Sequence, residues 1–189
     1  MDATQFLKVV IVLTTVAASV AYLTLPQHKV VRPDARFLAS EHIQDMEAYI
    51  LSETEIRPCT LTASGDILRC SDLDWNYVGT VNKDMGGRNV ECIWAHPTAN
   101  KTLVIKFRDI GLTDEINGIY GILDEADTKD PGTVNFRVNV QGADIFGGEV
   151  VYPGADKFNI KTTPGKNDIE FRIYTENDKK RHFCFNAWS

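Results

Sequence analysis

The four cysteines, Cys59, Cys70, Cys92 and Cys184, constrain this chain more than any other feature. The stretch "CTLTASGDILRC" puts the first two at the ends of a hairpin. With Cys59 opposite Cys70, Thr60 faces Arg69, Leu61 faces Leu68 and Thr62 faces Ile67, leaving Ala63 and Asp66 to flank a Ser64-Gly65 turn. Glycine supplies the positive φ that tight turns need. Cysteines directly opposite each other bring their Cβ atoms within disulfide reach. That leaves Cys92 and Cys184 as the second pair. Here an alternative stands beside the disulfide. On a strand Cys92 shares a face with His96, and His182 with Cys184, so a Cys2His2 zinc site is conceivable. Structural zinc gathers its ligands from tight turns, and this spacing matches no such motif. Two disulfides, Cys59–Cys70 and Cys92–Cys184, are therefore the preferred reading, with no metal.

Short strands between turn signals dominate from Val90 onward. "VECIWA", "TLVIKF", "INGIYGI", "TVNFRVNV", "GEVVY", "KFNIKT", "DIEFRIY" and "RHFCFNAW" alternate with "HPTAN", "DTKDPG", "YPGAD" and "TTPGKND". Val134, Phe136, Val138 and Val140 point one way and Asn135, Arg137 and Asn139 the other; Ile169, Phe171 and Ile173 repeat the pattern. Each strand can bury one face and wet the other. Many short strands at this spacing predict a mainly β fold, a jelly-roll-like antiparallel β-sandwich over residues 90–189. Residues 59–89 are expected to form the disulfide-closed hairpin and a connection. Within it, "NKDMGGRN" reads as a flexible turn, since no helix pattern follows to make a phosphate cradle.

The N-terminal region is of another kind. Val9 to Leu25 is an uncharged run of apolar and small residues, near the lower length for a membrane span. Ser19-Val20-Ala21 offers a signal-peptidase site as the rival reading. The expectation is an uncleaved single transmembrane helix over residues 1–25, because the sequence keeps the stretch from Met1 onward. Ala17, Ala18, Ser19 and Ala21, with Thr14 and Thr15, would permit close helix contact. Residues 26–58 follow as a linker with two prolines, Pro26 and Pro33, and a short amphipathic helix in "FLASEHIQDMEAYILSE". There Phe37, Ile43, Met46, Ile50 and Leu51 make a rough helical stripe, and Ser40 could cap its start. Flanking Lys29, Arg32 and Arg36 favour a cytoplasmic domain, but long domains translocate regardless of charge. The cysteines favour an oxidising compartment, so an extracytoplasmic domain, periplasmic or lumenal, is expected.

Charge and motifs exclude several functions. The net charge is −6 with no long basic run, so there is no phosphate-neutralising surface for nucleic acid. No Gly-x-Ser-x-Gly motif is present, and the histidines are not matched to a Ser or Cys nucleophile. Asp124, Glu125, Asp127 and Asp130 form an acidic stretch without EF-hand spacing, which reads as a solvated loop rather than a calcium site. Trp75, Tyr77 and Trp94 could stack on sugar rings, although aromatics in alternating strands more often belong to a core. No catalytic residue and no cofactor are expected.

The residues from Val90 to Trp188 resemble the NPCBM-type carbohydrate-binding modules. The likeness rests on Ala95-His96, a Gly-x-x-Asp segment at Gly121 to Asp124, the strand from Gly132 to Gly142, and the terminal "HFCFNAW" with Trp188. It implies a galactose-binding-like jelly roll that binds sugar through loops at one end or through one sheet face. No sugar-contacting residue carries over. Two functions from different classes follow. The first is a non-catalytic accessory subunit of a larger membrane complex, photosynthetic or respiratory, using its sandwich for protein contact. The alternative is a membrane-tethered carbohydrate-binding module with glycan as partner.

Overall fold

Period-two burial organises the chain into strands. In Val134–Val140, Val134, Phe136 and Val138 are fully buried while Arg137 is exposed; in Gly165–Thr175, Ile169, Phe171 and Ile173 are fully buried. The computed structural model describes residues 37–126, 128–129 and 131–189. Among these residues the strands are β1 (Met46–Leu51), β2 (Ile56–Pro58), β3 (Thr60–Leu61), β4 (Ile67–Arg69), β5 (Tyr77–Met85), β6 (Arg88–Ala95), β7 (Lys101–Leu112), β8 (Glu115–Ile122), β9 (Val134–Val140), β10 (Ala143–Val150), β11 (Gly154–Lys161), β12 (Gly165–Thr175) and β13 (Phe183–Trp188). They make two antiparallel sheets. One is six-stranded, in the order β10-β9-β12-β7-β1-β2, and the other is seven-stranded, in the order β11-β8-β13-β6-β5-β4-β3. The fold is a mainly β sandwich.

The expected amphipathic helix is corrected. Residues 39–41 and 43–45 form two single 3-10 turns, and Met46–Leu51 is strand β1. Met46 and Ile50 satisfy both a helical and a strand period, which is why the stripe misled. Ala48 decides between them: Met46, Ala48 and Ile50 are buried while Glu47 and Leu51 are exposed. β1 pairs along its whole length with β7, Met46 opposite Phe107 and Leu51 opposite Thr102. The sandwich therefore begins near Phe37 rather than at residue 90. Backbone bonds between Phe37 and Ser189, at 3.2 and 3.1 Å, tie its two chain ends together.

The segment expected as hairpin and connection, residues 59–89, supplies β3, β4 and β5 to the seven-stranded sheet. Thr60 faces Arg69 and Leu61 faces Leu68, the register derived from the cysteines. Cys59 and Cys70 are bonded, with Cα atoms 4.1 Å apart. Gly86 and Gly87 are not a flexible entry to the sandwich. Both have positive φ (62° and 72°) and make the two-residue turn that joins β5 to β6, with Met85 opposite Arg88. The anchor expected over residues 1–25, and the linker as far as Arg36, lie outside the described residues. Among the described residues no helix is long and apolar enough to cross a membrane.

The core between the sheets is built on Phe136. Its ring stacks parallel to Phe171 at 6.0 Å and on Tyr120 at 5.0 Å, and meets Phe183 and Phe185 at 5.4 Å each. These partners come from both sheets. Truncation there would leave a void that no single neighbour can fill. Phe136→Ala should cost about 3–5 kcal/mol of unfolding free energy, measured by guanidinium denaturation. A cost below about 1 kcal/mol would mean that the core is not organised around this ring.

Candidate functional site

The seven-stranded sheet carries a second apolar layer on its outer face. Odd positions of β5 and even positions of β6 point away from the core, so Tyr77, Val81 and Met85 meet Val90, Cys92 and Trp94. Cys184 on β13 lies opposite Trp94, and Leu123 completes the layer. Cys92 and Cys184 are bonded across β6 and β13, Cα atoms 5.9 Å apart. The zinc alternative is thereby overturned, since both thiolates are used in the disulfide. Among the described residues no group of three or more His, Cys, Asp or Glu is placed to hold a metal ion.

The histidines instead join a cluster of rings. Trp94 stacks nearly parallel to Tyr77 at 5.7 Å and touches His182 at 5.2 Å and His96 at 5.8 Å; the two histidines are 5.6 Å apart. Trp75 covers His96 at 4.5 Å. Trp75 is held there by its loop. The Cys59–Cys70 bond closes the base, Cys70 N–H donates to Asn76 O, and Trp94 Nε1–H donates to Trp75 O at 3.0 Å. Trp94 and His96 are buried, whereas Trp75 is 38% exposed and Tyr77 and His182 are partly exposed.

A polar rim borders the rings. Lys83 Nζ donates to Glu125 Oε1 at 2.9 Å. The same oxygen lies 3.5 Å from His182 Nδ1, close enough for an ion pair but not aligned as a hydrogen bond. The Lys83 bond holds the Glu125 carboxyl below its ordinary range. Burial pushes His182 down, and Glu125 opposes that shift. Burial pushes the Tyr77 phenol up. His96 is neutral over the physiological range: burial lowers it from 6.5 to about 4, and its Nδ1–H donates to Pro97 O at 2.9 Å.

The sequence singled out Trp75, Tyr77, Trp94, His96, His182, Cys92, Cys184 and Glu125 for separate reasons, and the fold brings all of them to one face. Lys83 was missed; its outward position on β5 was the available signal. Glu125 is exposed, as expected of a solvated loop, but its carboxylate is engaged by Lys83. Its neighbour Asp124 is also engaged, accepting from the N–H groups of Gly86 and Gly87 at 2.9 Å each. Asp127 and Asp130 lie outside the described residues. A separate open depression of about 350 Å³ is lined by Glu41, Asp45 and Asp66 with Ile43, Gln44, Gly65 and Thr80, and has no aromatic wall.

No family model matches the chain, and no curated protein matches it. Solved structures similar to it include carbohydrate-binding modules. A family 51 module from the Clostridium perfringens family 95 glycoside hydrolase, in complex with methyl-galactose, is 14% identical, with 69% of this chain and 86% of that one covered and a TM-score of 0.43. The tandem family 51 modules of the family 98 glycoside hydrolase from Streptococcus pneumoniae SP3-BS71 are 13% identical, covering 87% of this chain and 50% of theirs, at 0.45. A family 35 module from Paenibacillus barcinonensis is 12% identical, covering 57% and 85%, at 0.34. At such scores these neighbours carry no ligand and no residue role to this chain.

Two outcomes test this layer. The Cys92–Cys184 bond joins residues 92 apart in sequence. Replacing both cysteines with Ala should lower stability by roughly 4–5 kcal/mol by relaxing the unfolded chain, read by guanidinium denaturation of the intact Cys59–Cys70 protein. Free thiols in non-reducing peptide maps of the parent would overturn the pairing. The second outcome concerns pH. An unfolded His96 takes up a proton near 6.5, whereas the folded one resists until about 4, so the unfolded state binds more protons between these values. Stability is then full above about pH 6.5 and falls as pH drops toward 4, by at most about 3 kcal/mol from this residue. Unfolding curves of His96→Gln should lose that part of the slope; an unchanged slope refutes the assignment.

Proposed function

We propose that this chain is a membrane-tethered, non-catalytic module whose β-sandwich binds glycan on the outer face of the seven-stranded sheet. One observation carries the reading: the exposed Trp75 ring and the partly exposed Tyr77 ring flank the Trp94–His96–His182 cluster, whose border carries the charged pair Lys83 and Glu125. A pyranose offers an apolar C–H face and a rim of hydroxyls. An aromatic platform covers the first, and charged donors and acceptors take the second. A few placed polar groups at the edge of an apolar surface are the ordinary composition of a small-ligand site.

Two disulfides support an oxidising compartment for the domain, and the uncharged stretch Val9 to Leu25 supports a tether. The accessory-subunit reading rested mainly on that same stretch and has no support among the described residues. It therefore gives way to the carbohydrate-binding alternative.

The full chain should be held in a detergent without a sugar headgroup and titrated with a panel of neutral and acidic oligosaccharides. Saturable binding is expected, weakened about tenfold or more in Trp75→Ala, the loss typical of a central aromatic anchor. Circular dichroism of the variant checks that the sandwich remains folded. Absence of saturable binding across the panel, or an undiminished affinity in a folded Trp75→Ala protein, refutes the proposal.

A further inference from the structure

Beyond the disulfide, the same outer face carries a second set of side chains that the ring cluster does not use. Trp188 on β13 is the cross-strand partner of Asn117 on β8, and Asn117 is the partner of Asn159 on β11. One row away, Glu115 faces Lys161. Alternation fixes their side of the sheet. Ile116, Phe158, Ile160 and Ala187 pack into the core, and Ile119, two positions from Asn117, packs on the outer layer. Trp188, Asn117 and Glu115 are partly exposed, and Asn159 and Lys161 are exposed.

The polar members are already organised. Asn159 Nδ2 donates to Asn117 Oδ1 at 2.7 Å, Asn117 Nδ2 donates to Glu115 Oε1 at 3.0 Å, and Lys161 Nζ donates to Glu115 Oε2 at 3.0 Å. Bonds from Asn117, Asn159 and Lys161 pull the Glu115 carboxyl down to about 2, so it is an ionised acceptor at any working pH. Each amide retains a donor or an acceptor for a ligand, because an amide offers two N–H groups and an oxygen with two lone pairs. The one carboxylate is balanced by Lys161.

We propose that this row is a second sugar subsite, taking a neutral pyranose with its C–H face on the Trp188 indole and neighbouring hydroxyls on Asn117, Asn159 and Glu115. The inference rests on the glycan reading above and extends it. Trp188 lies four residues along β13 from Cys184, the partner of Trp94, which is about 13 Å. The ligand that engages both subsites is therefore an oligosaccharide rather than a single sugar. Side chains held in place by neighbours lose little freedom on binding, and this favours recognition on an otherwise open sheet face.

The chain has three tryptophans, so its indole N–H groups give three resolvable signals in a nitrogen-15 NMR spectrum. Trp188→Phe and Trp75→Phe assign them. The full chain, in a detergent without a sugar headgroup, is titrated with galactose, glucose, mannose, N-acetylglucosamine and their β-linked disaccharides, and with galacturonate. A saturable shift of the Trp188 signal by a neutral sugar is expected, with affinity reduced about tenfold in Asn159→Ala, an exposed position whose change spares the core. If sugars move only the Trp75 or Trp94 signals, the second subsite is refuted and the first reading stands. If no indole signal moves with any sugar, both are refuted. Tighter binding of galacturonate than of every neutral sugar at Trp188 overturns the neutral class.

Discussion

Everything on the outer face of the seven-stranded sheet depends on the register between β6 and β13. That register is held from both sides. On one side the Cys92–Cys184 bond crosses the two strands under Trp94. On the other, Phe183, Phe185 and Ala187 are fully buried in the core. A slip of one residue would turn the phenylalanines to solvent and Cys184 to the core. Neither constraint alone fixes both faces. Together they hold the indole of Trp94 beside the disulfide, and the histidine and tyrosine rings assemble around it.

Much of this was legible in the sequence, and the gaps have physical causes. The strands from Val90 onward announce themselves because each buries one face between two sheets. The hairpin register follows from the cysteines alone. β1 was misread because Met46 and Ile50 fit both periods, and only its partner β7, more than fifty residues on, resolves the ambiguity. The site was visible only in pieces. Trp75, Tyr77, Trp94, His96 and His182 could be named, but whether they converge depends on sheet order, which no local pattern encodes. Lys83 and Glu125, forty-two residues apart, meet through that order alone.

The two outer faces of the sandwich are chemically unlike. The six-stranded sheet presents a lattice of ion pairs: Arg108 with Glu47 at 2.7 Å and with Asp168 at 3.7 Å, Lys106 with Asp168 at 3.1 Å, and Arg137 with Asp144 at 3.7 Å. Such exposed pairs add little stability individually. Their charges satisfy one another, which leaves a wetted surface with both signs interspersed. The seven-stranded sheet differs: alongside pairs such as Lys161 with Glu115 it carries a layer of rings and a disulfide under a polar rim. The asymmetry gathers the packed aromatic side chains on one outer face and the denser ion-pair lattice on the other.

β13 also governs the order in which the domain can be made. Its neighbours in the middle of the sheet, β6 and β8, come off the ribosome well before Phe183–Trp188. Until that last strand arrives, β6 and β8 each present an unpaired edge, and the apolar side chains meant for the core have no closed sheet to cover them. Long-range pairing of this kind is slow, and exposed strand edges invite association with other chains. Cys92 meanwhile has no Cys184 to bond, so an oxidising environment can trap it with Cys59 or Cys70. Correct assembly is therefore a matter of timing: the first hairpin can close its own disulfide early, but the sandwich has to wait for its final strand.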